Sequence, residues 1–216
     1  SLAYHLARAK LRVLAERNPK QGVKQFAENL KQGQYRNAQA ERYGYALALL
    51  ANRDYDAARA QINELLDQDK DRLAYQIALA RIEMASSHTQ RALAIYADAL
   101  KLYPGNPPLT LFYSRALLAG GQADKARRLL EEHVRQARPD PDLYKLLAEA
   151  EGAAGLKAAA HQALAEHYYL NGQTDAAIQQ LTLALGEKDA DFYRSSQIED
   201  RLRQLKDEKA QETKRP

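Results

Sequence analysis

The chain contains no cysteine. Disulfides, thiolate nucleophiles and cysteine zinc sites are therefore excluded, though the absence fits an oxidising compartment and the cytosol alike. No apolar run approaches the roughly 18 residues needed to span a bilayer, and no signal peptide is visible. A glycine-rich phosphate loop is missing, because the pair Gly120-Gly121 reads as a turn. The five histidines are His5, His88, His133, His161 and His167. None forms the zinc-protease pattern of two histidines four apart with a glutamate beside the first. His161 and His167 are six apart and point about 240° from one another around a helix, which Glu166 does not repair. Serine is scarce, and Ser86-Ser87 and Ser195-Ser196 read as turn or helix-surface positions. No catalytic, cofactor-binding or metal-binding residue is expected. The charge excess is small too: 32 Lys and Arg face 28 acidic residues, a formal +4. Spread over a long surface, it points only weakly to nucleic acid.

What the chain has is repetition. From about Tyr45 to Leu164, residue type recurs every 34 positions. One small series runs Ala46, Ala80, Ser114, Ala148, and a second runs Ala58, Ala92, Ala126, Ala160. Bulky residues keep the same step at Tyr45, Leu79, Tyr113, Leu147 and at Ile62, Tyr96, Leu130, Leu164. Small residues on facing helices let backbones approach, and bulky ones fill the space beside them. A period of 34 is that of the helix-turn-helix units of tetratricopeptide (TPR) arrays. The expected fold is all-α, a TPR-type superhelical solenoid of about twelve antiparallel helices.

Taken in order, residues 1–16 read as a helix, with Leu2, Leu6, Ala9 and Val13 on one face and Leu14 at its margin. Asn18-Pro19 caps and opens the next, which carries Val23, Phe26, Ala27 and Leu30 inward and stops at Gly33 in a left-handed cap. The turn at Gly33 precedes the turn at Asn52-Arg53-Asp54 by only 20 residues, so the helix between them must serve both. The turn at Asn171-Gly172-Gln173 follows Gly155 by 17 residues, half a period, and the helix near 158–170 is shared in the same way. These are two half-period breaks, one near each end. The turn Ser86-Ser87-His88-Thr89 lacks the usual glycine. The last helix begins near Asp191 and presents Phe192, Ile198, Leu202 and Leu205 to the array as a cap. Residues 1–206 are expected to form one domain and residues 207–216 a charged, disordered tail. Because the chain is helical from Ser1, it is expected to be a piece of a longer protein.

With no chemistry apparent, the functional surface is the groove lined by the first helix of each pair. The inward positions are Tyr43, Leu47, Ile77, Arg81, Met84, Leu111, Arg115, Leu118, Lys145 and Glu149. Of these Tyr43, Ile77, Arg81, Met84, Leu111, Arg115, Lys145 and Glu149 are candidates for touching a partner. Arg81 and Arg115 stand one repeat apart, and two guanidinium groups in a row could grip a carboxylate or backbone carbonyls. They could equally be solvated, with local ion-pair partners. Tyr43 and Met84 could be contacts or core filling.

Two end motifs are more specific than the repeat. The first is Lys31-Gln32-Gly33-Gln34-Tyr35 with Arg42-Tyr43-Gly44-Tyr45-Ala46-Leu47. The second is His167-Tyr168-Tyr169-Leu170-Asn171-Gly172 followed by Asp191-Phe192-Tyr193-Arg194-Ser195-Ser196-Gln197-Ile198-Glu199. With them the chain resembles the C-terminal TPR domain of periplasmic zinc metallopeptidases of the beta-barrel assembly-enhancing type. The resemblance implies a periplasmic quality-control protein. It implies partners too: a cognate protease domain, the outer-membrane beta-barrel assembly machinery and its barrel clients. Neither nucleic acid binding nor membrane insertion is implied. Zinc would belong to a catalytic domain that this chain lacks, so the chain itself should bind and not cut. The alternatives are a stand-alone TPR adaptor holding a peptide in its groove and a pentatricopeptide RNA binder. The strict 34-residue step and the modest charge argue against the second.

Overall fold

In the computed structural model, which describes residues 1–136, 138 and 140–212, twelve α-helices follow one another with no strand among the described residues. They are α1 (Leu2–Ala15), α2 (Pro19–Gln32), α3 (Ala38–Ala51), α4 (Tyr55–Gln68), α5 (Leu73–Ala85), α6 (Thr89–Leu102), α7 (Pro107–Ala119), α8 (Ala123–Gln136), α9 (Pro141–Ala153), α10 (Lys157–Leu170), α11 (Thr174–Leu185) and α12 (Phe192–Glu212). The starts are written in the sequence. The side chains of Asn18, Asn37, Asn106 and Asp140 accept hydrogen bonds from backbone N–H groups of the first turn, and three of these helices open on a proline. Such caps satisfy donors that a helix leaves unpaired, and proline has no N–H to waste there.

The stops of α3, α5, α7 and α9 follow one geometry. At Asn52, Ser86, Gly120 and Ala154 the backbone N–H returns to the carbonyl four residues back, and the N–H two positions later reaches five back. The residue between is left-handed: Arg53, Ser87, Gly121 and Gly155 have φ of 66°, 65°, 72° and 82°. Gly172, φ 73°, repeats the turn with Gln173 N–H returning to Tyr168 O, and Gly33, φ 68°, repeats its cap with Gln34 N–H returning to Asn29 O. The left-handed residues of these turns thus stand at 33, 53, 87, 121, 155 and 172, with steps of 20, 34, 34, 34 and 17, and Gly105, φ 69°, is a further left-handed position outside this series. Side chains with a Cβ are strained in that region, and glycine is not. Replacing Ser87 by glycine is therefore expected to raise stability by about 0.5–1 kcal/mol. A higher urea midpoint checks this, and Gly121→Ser should move the midpoint the other way.

The chain falls into two compact units, Ser1–Pro104 and Gly105–Pro216. Within the first, α3 is packed on by α1, α2 and α4, so it closes one hairpin and opens another. Its pairing with α4 is antiparallel: Gln39 bonds Gln68, while Arg42 bonds Gln61 and Glu64. Leu6 and Ala9 of α1, Tyr43 and Leu47 of α3, Ile62 and Leu65 of α4, and Tyr75 and Ile82 of α5 form the core.

Within the second unit, α10 packs on both α9 and α11. It also bonds α12 at three levels, Gln162 to Arg194, Glu166 to Arg201 and Tyr169 to Glu208. The numbers rise together, so α10 and α12 run parallel, as the first helices of successive units do. Serving three neighbours turns the buried face of α10. Ala158, Ala159, Ala163 and Ala165 are buried, whereas Ala160 and Leu164 of the expected series are only half-buried.

Two further expectations need correction. Phe192 is 92% exposed, and the capping contacts of α12 come from Ile198 and Leu205, both fully buried. The helix also continues through Glu212, so residues 207–212 are not a disordered tail. Tyr169, on α10, bonds Glu208, and Lys209 pairs with Asp175 on α11. Residues 213–216 lie outside the described residues.

Candidate functional site

Tyr43 does not line a groove. It is buried at 6% exposure, its ring 5.9 Å from that of Tyr75 and tilted 45°. Leu47 is buried as well. The inward face of α3 is consumed by packing because α1 and α2 both cover it. Burial raises the pKa of Tyr43 and pushes Tyr96 up to about 12, and the nearby charge of Arg81 opposes both shifts. Arg81 therefore sits half-buried beside two buried phenols, not as a free arm in solvent. Ile77 and Met84, also on α5, are half-buried.

In the second unit Leu111 and Leu118 of α7 are half-buried, and Arg115, Lys145 and Glu149 are exposed. Lys145 and Glu149 stand four apart on one face of α9, where side chains are neighbours. Arg81 belongs to the first unit and Arg115 to the second. Among the described residues no group of three or more potential metal ligands stands together, and no helix is long and apolar enough to cross a membrane.

The buried carboxylates of α3, α5 and α9 went unnoticed in the sequence. Glu83 is 3% exposed. Arg59 Nε on α4 donates to it at 2.5 Å, and His88 Nδ1 lies 3.0 Å away. Two repeats later the same positions hold Glu151 and Arg127, but the pairing changes. Arg127 Nη1 donates to Glu131 at 2.7 Å, where the earlier repeat has Asn63. Glu151 Oε2 and Arg127 Nε are left buried without a hydrogen bond. Burial pushes the Glu151 carboxyl up to about 7, and Glu131 adds to the shift against Arg194 and Arg127. Glu151 borders a cavity of about 510 Å³ shared with Tyr144, Glu166 and Arg194. A step of 68 between Glu83 and Glu151, and between Arg59 and Arg127, was the available signal. The leucines at 49 and 117 interrupt it at every single repeat.

Helical hairpins at a 34-residue step, joined by one recurring left-handed turn, define a tetratricopeptide-repeat protein. Two sequence models described as Tetratricopeptide repeat match residues 43–107 and 83–150, and the chain belongs to that class. More particularly, it is similar to the Beta-barrel assembly-enhancing protease of Escherichia coli (strain K12), 27% identical over 203 residues, 94% of this chain and 42% of that protein. The protein of the same name from Yersinia pestis is 26% identical over 84% of this chain and 37% of its own length. The chain thus spans less than half of these relatives. Among solved structures it is similar to a thermophilic TPR protein of Thermus thermophilus, with a TM-score of 0.55, 18% identity and coverage of 93% of this chain and 98% of that one. The MamA structure MSR-1 gives a TM-score of 0.56 at 12% identity, covering 80% of this chain and 97% of that one. These likenesses concern the fold.

Proposed function

We propose that this chain is the protein-interaction domain of a cell-envelope quality-control metalloprotease. Its role is to dock a protease domain and the outer-membrane beta-barrel assembly components or clients on which that protease acts. The observation that carries the reading is the match to the beta-barrel assembly-enhancing proteases, which runs along 94% of this chain but takes up only 42% of theirs. A binding segment attached to a larger enzyme has this relationship to the whole. On this reading the domain works in the periplasm, binds protein and not nucleic acid, and leaves zinc to the catalytic part. Partner contact falls on Arg115, Lys145 and Glu149, which are open to solvent, and on the half-exposed Ile77, Arg81, Met84 and Leu111.

The test is capture from a Gram-negative envelope extract, with bound proteins identified by mass spectrometry. The chain is compared with an Arg115→Glu/Lys145→Glu variant. Both positions are exposed, so the fold should survive. Barrel-assembly components should be recovered by the first and reduced at least fivefold with the second. Equal recovery moves the contact elsewhere on the array. Recovery of no barrel-assembly component, even with a protease domain added, overturns the reading.

A further inference from the structure

Charge is distributed unevenly along the chain. Residues 1–40 carry eight Lys and Arg against two Glu, a net +6, whereas the full chain is +4, so the remainder is −2. The basic stretch forms α1, α2 and the turn into α3. Between them lies a cavity of about 360 Å³, bordered by Arg8 and Arg12 of α1, Asn29 of α2, Arg36 and Asn37 of the turn, and Glu41 of α3.

Glu41 is the carboxylate in this lining, and both of its oxygens are engaged. Arg12 Nη1 donates to Oε2 and Asn29 Nδ2 to Oε1, each at 2.8 Å. Its charge is matched by Arg12. Arg8 and Arg36 are exposed and have no carboxylate partner among the described residues. His5 also borders the cavity. The walls therefore hold two uncompensated guanidinium groups over a neutralised floor, at the positive end of the α3 dipole. Guanidinium forks match the planar, two-oxygen shape of a carboxylate. Phosphate sites at helix starts use free backbone N–H groups, and here Ala40 N–H is already spent on Asn37 Oδ1.

We propose that this cavity binds a carboxylate presented by a partner protein, an acidic side chain or a C-terminus, held by Arg8 and Arg36. None of the inward groove positions named above lines this cavity. The site relies on the interaction-domain reading only for the occupant being a protein.

The experiment titrates the purified chain with a Gly-Glu-Gly-Glu peptide at low ionic strength, where exposed charges are least screened. The same peptide with an amidated C-terminus and inorganic phosphate are run beside it. Arg8→Ala/Arg36→Ala should weaken peptide binding at least tenfold with unchanged helicity. Lys10→Ala/Lys31→Ala removes the same charge from the same segment and should stay within twofold. Loss of affinity on amidation assigns the C-terminal carboxylate, and retention assigns the side chains. No binding, equal loss in both double variants, or tighter binding of phosphate than of either peptide overturns the proposal. A chain that captures barrel-assembly components yet ignores the peptides overturns this inference alone. One that binds the peptides and captures no envelope protein overturns the proposed function alone.

Discussion

Replacing Gly44 by alanine is expected to destabilise the first unit by about 3 kcal/mol. On propensity alone, alanine should gain about 1 kcal/mol inside a helix, so the sign is a real test. A Cβ on Gly44 would overlap the Phe26 ring, with Cε1 nearest and Cζ next at 2.7 Å. Phe26 is 2% exposed and has little room to retreat. The Arg12 guanidinium lies 4.2 Å from the centre of its ring, and Arg12 is held in turn by buried Glu41. The added methyl therefore pushes on a ring, a cation and a carboxylate that together hold α1 and α2 to α3. Chemical unfolding should show the loss. Adding Phe26→Leu to the Gly44→Ala background should restore part of it, a coupling that a double-mutant cycle isolates. If Gly44→Ala alone is neutral or stabilising, this packing is wrong.

The second large effect concerns Glu151. Its carboxyl is pushed up to about 7 by burial, from an ordinary value of 4.5. The folded chain then binds this proton more tightly than the unfolded chain. Between those two pH values the folded state carries the extra proton, so stability falls as pH rises from 4.5 through 7 and is level on either side. The loss is on the order of 3 kcal/mol. Glu151→Gln preserves shape without a charge. It should flatten this part of the pH profile and exceed the parent in stability at about pH 8, as read from urea unfolding at about pH 5 and pH 8. The opposite outcome, a variant weaker at the higher pH, would mean that Arg127 leaves Glu131 to pair with the ionised carboxylate, as Arg59 pairs with Glu83.

The architecture was readable because repetition samples the same packing problem several times. Ala46, Ala80 and Ser114 are fully or almost fully buried, as their spacing requires. Asn18, Gly33 and Asp140 act as helix caps because their chemistry is local. The shared helices α3 and α10 were legible from turn spacing alone. The surface was not. Tyr43 looked inward-facing on a helical wheel, but a wheel has no knowledge of how many neighbours a helix has. The candidate cavity draws on α1, α2, a turn and α3 at once, and no period links Arg8 to Arg36. Buried Glu41 gave no sign, since a charged residue reads as solvent-facing until its partners 29 and 12 residues away are known.

The half-step before Gly172 also has a consequence for parity. In an array counted by pairs, odd helices face one neighbour set and even helices the other. Because α10 takes part in two hairpins, the count inverts past it. By pairs α10 and α12 are both second helices, yet they are bonded to each other at three levels, as the first helices α1 and α3 are through Arg12 and Glu41. The unit of growth at this end is thus one helix, and a single added or deleted helix, not a hairpin, would exchange which residues of every later helix are seen by a partner.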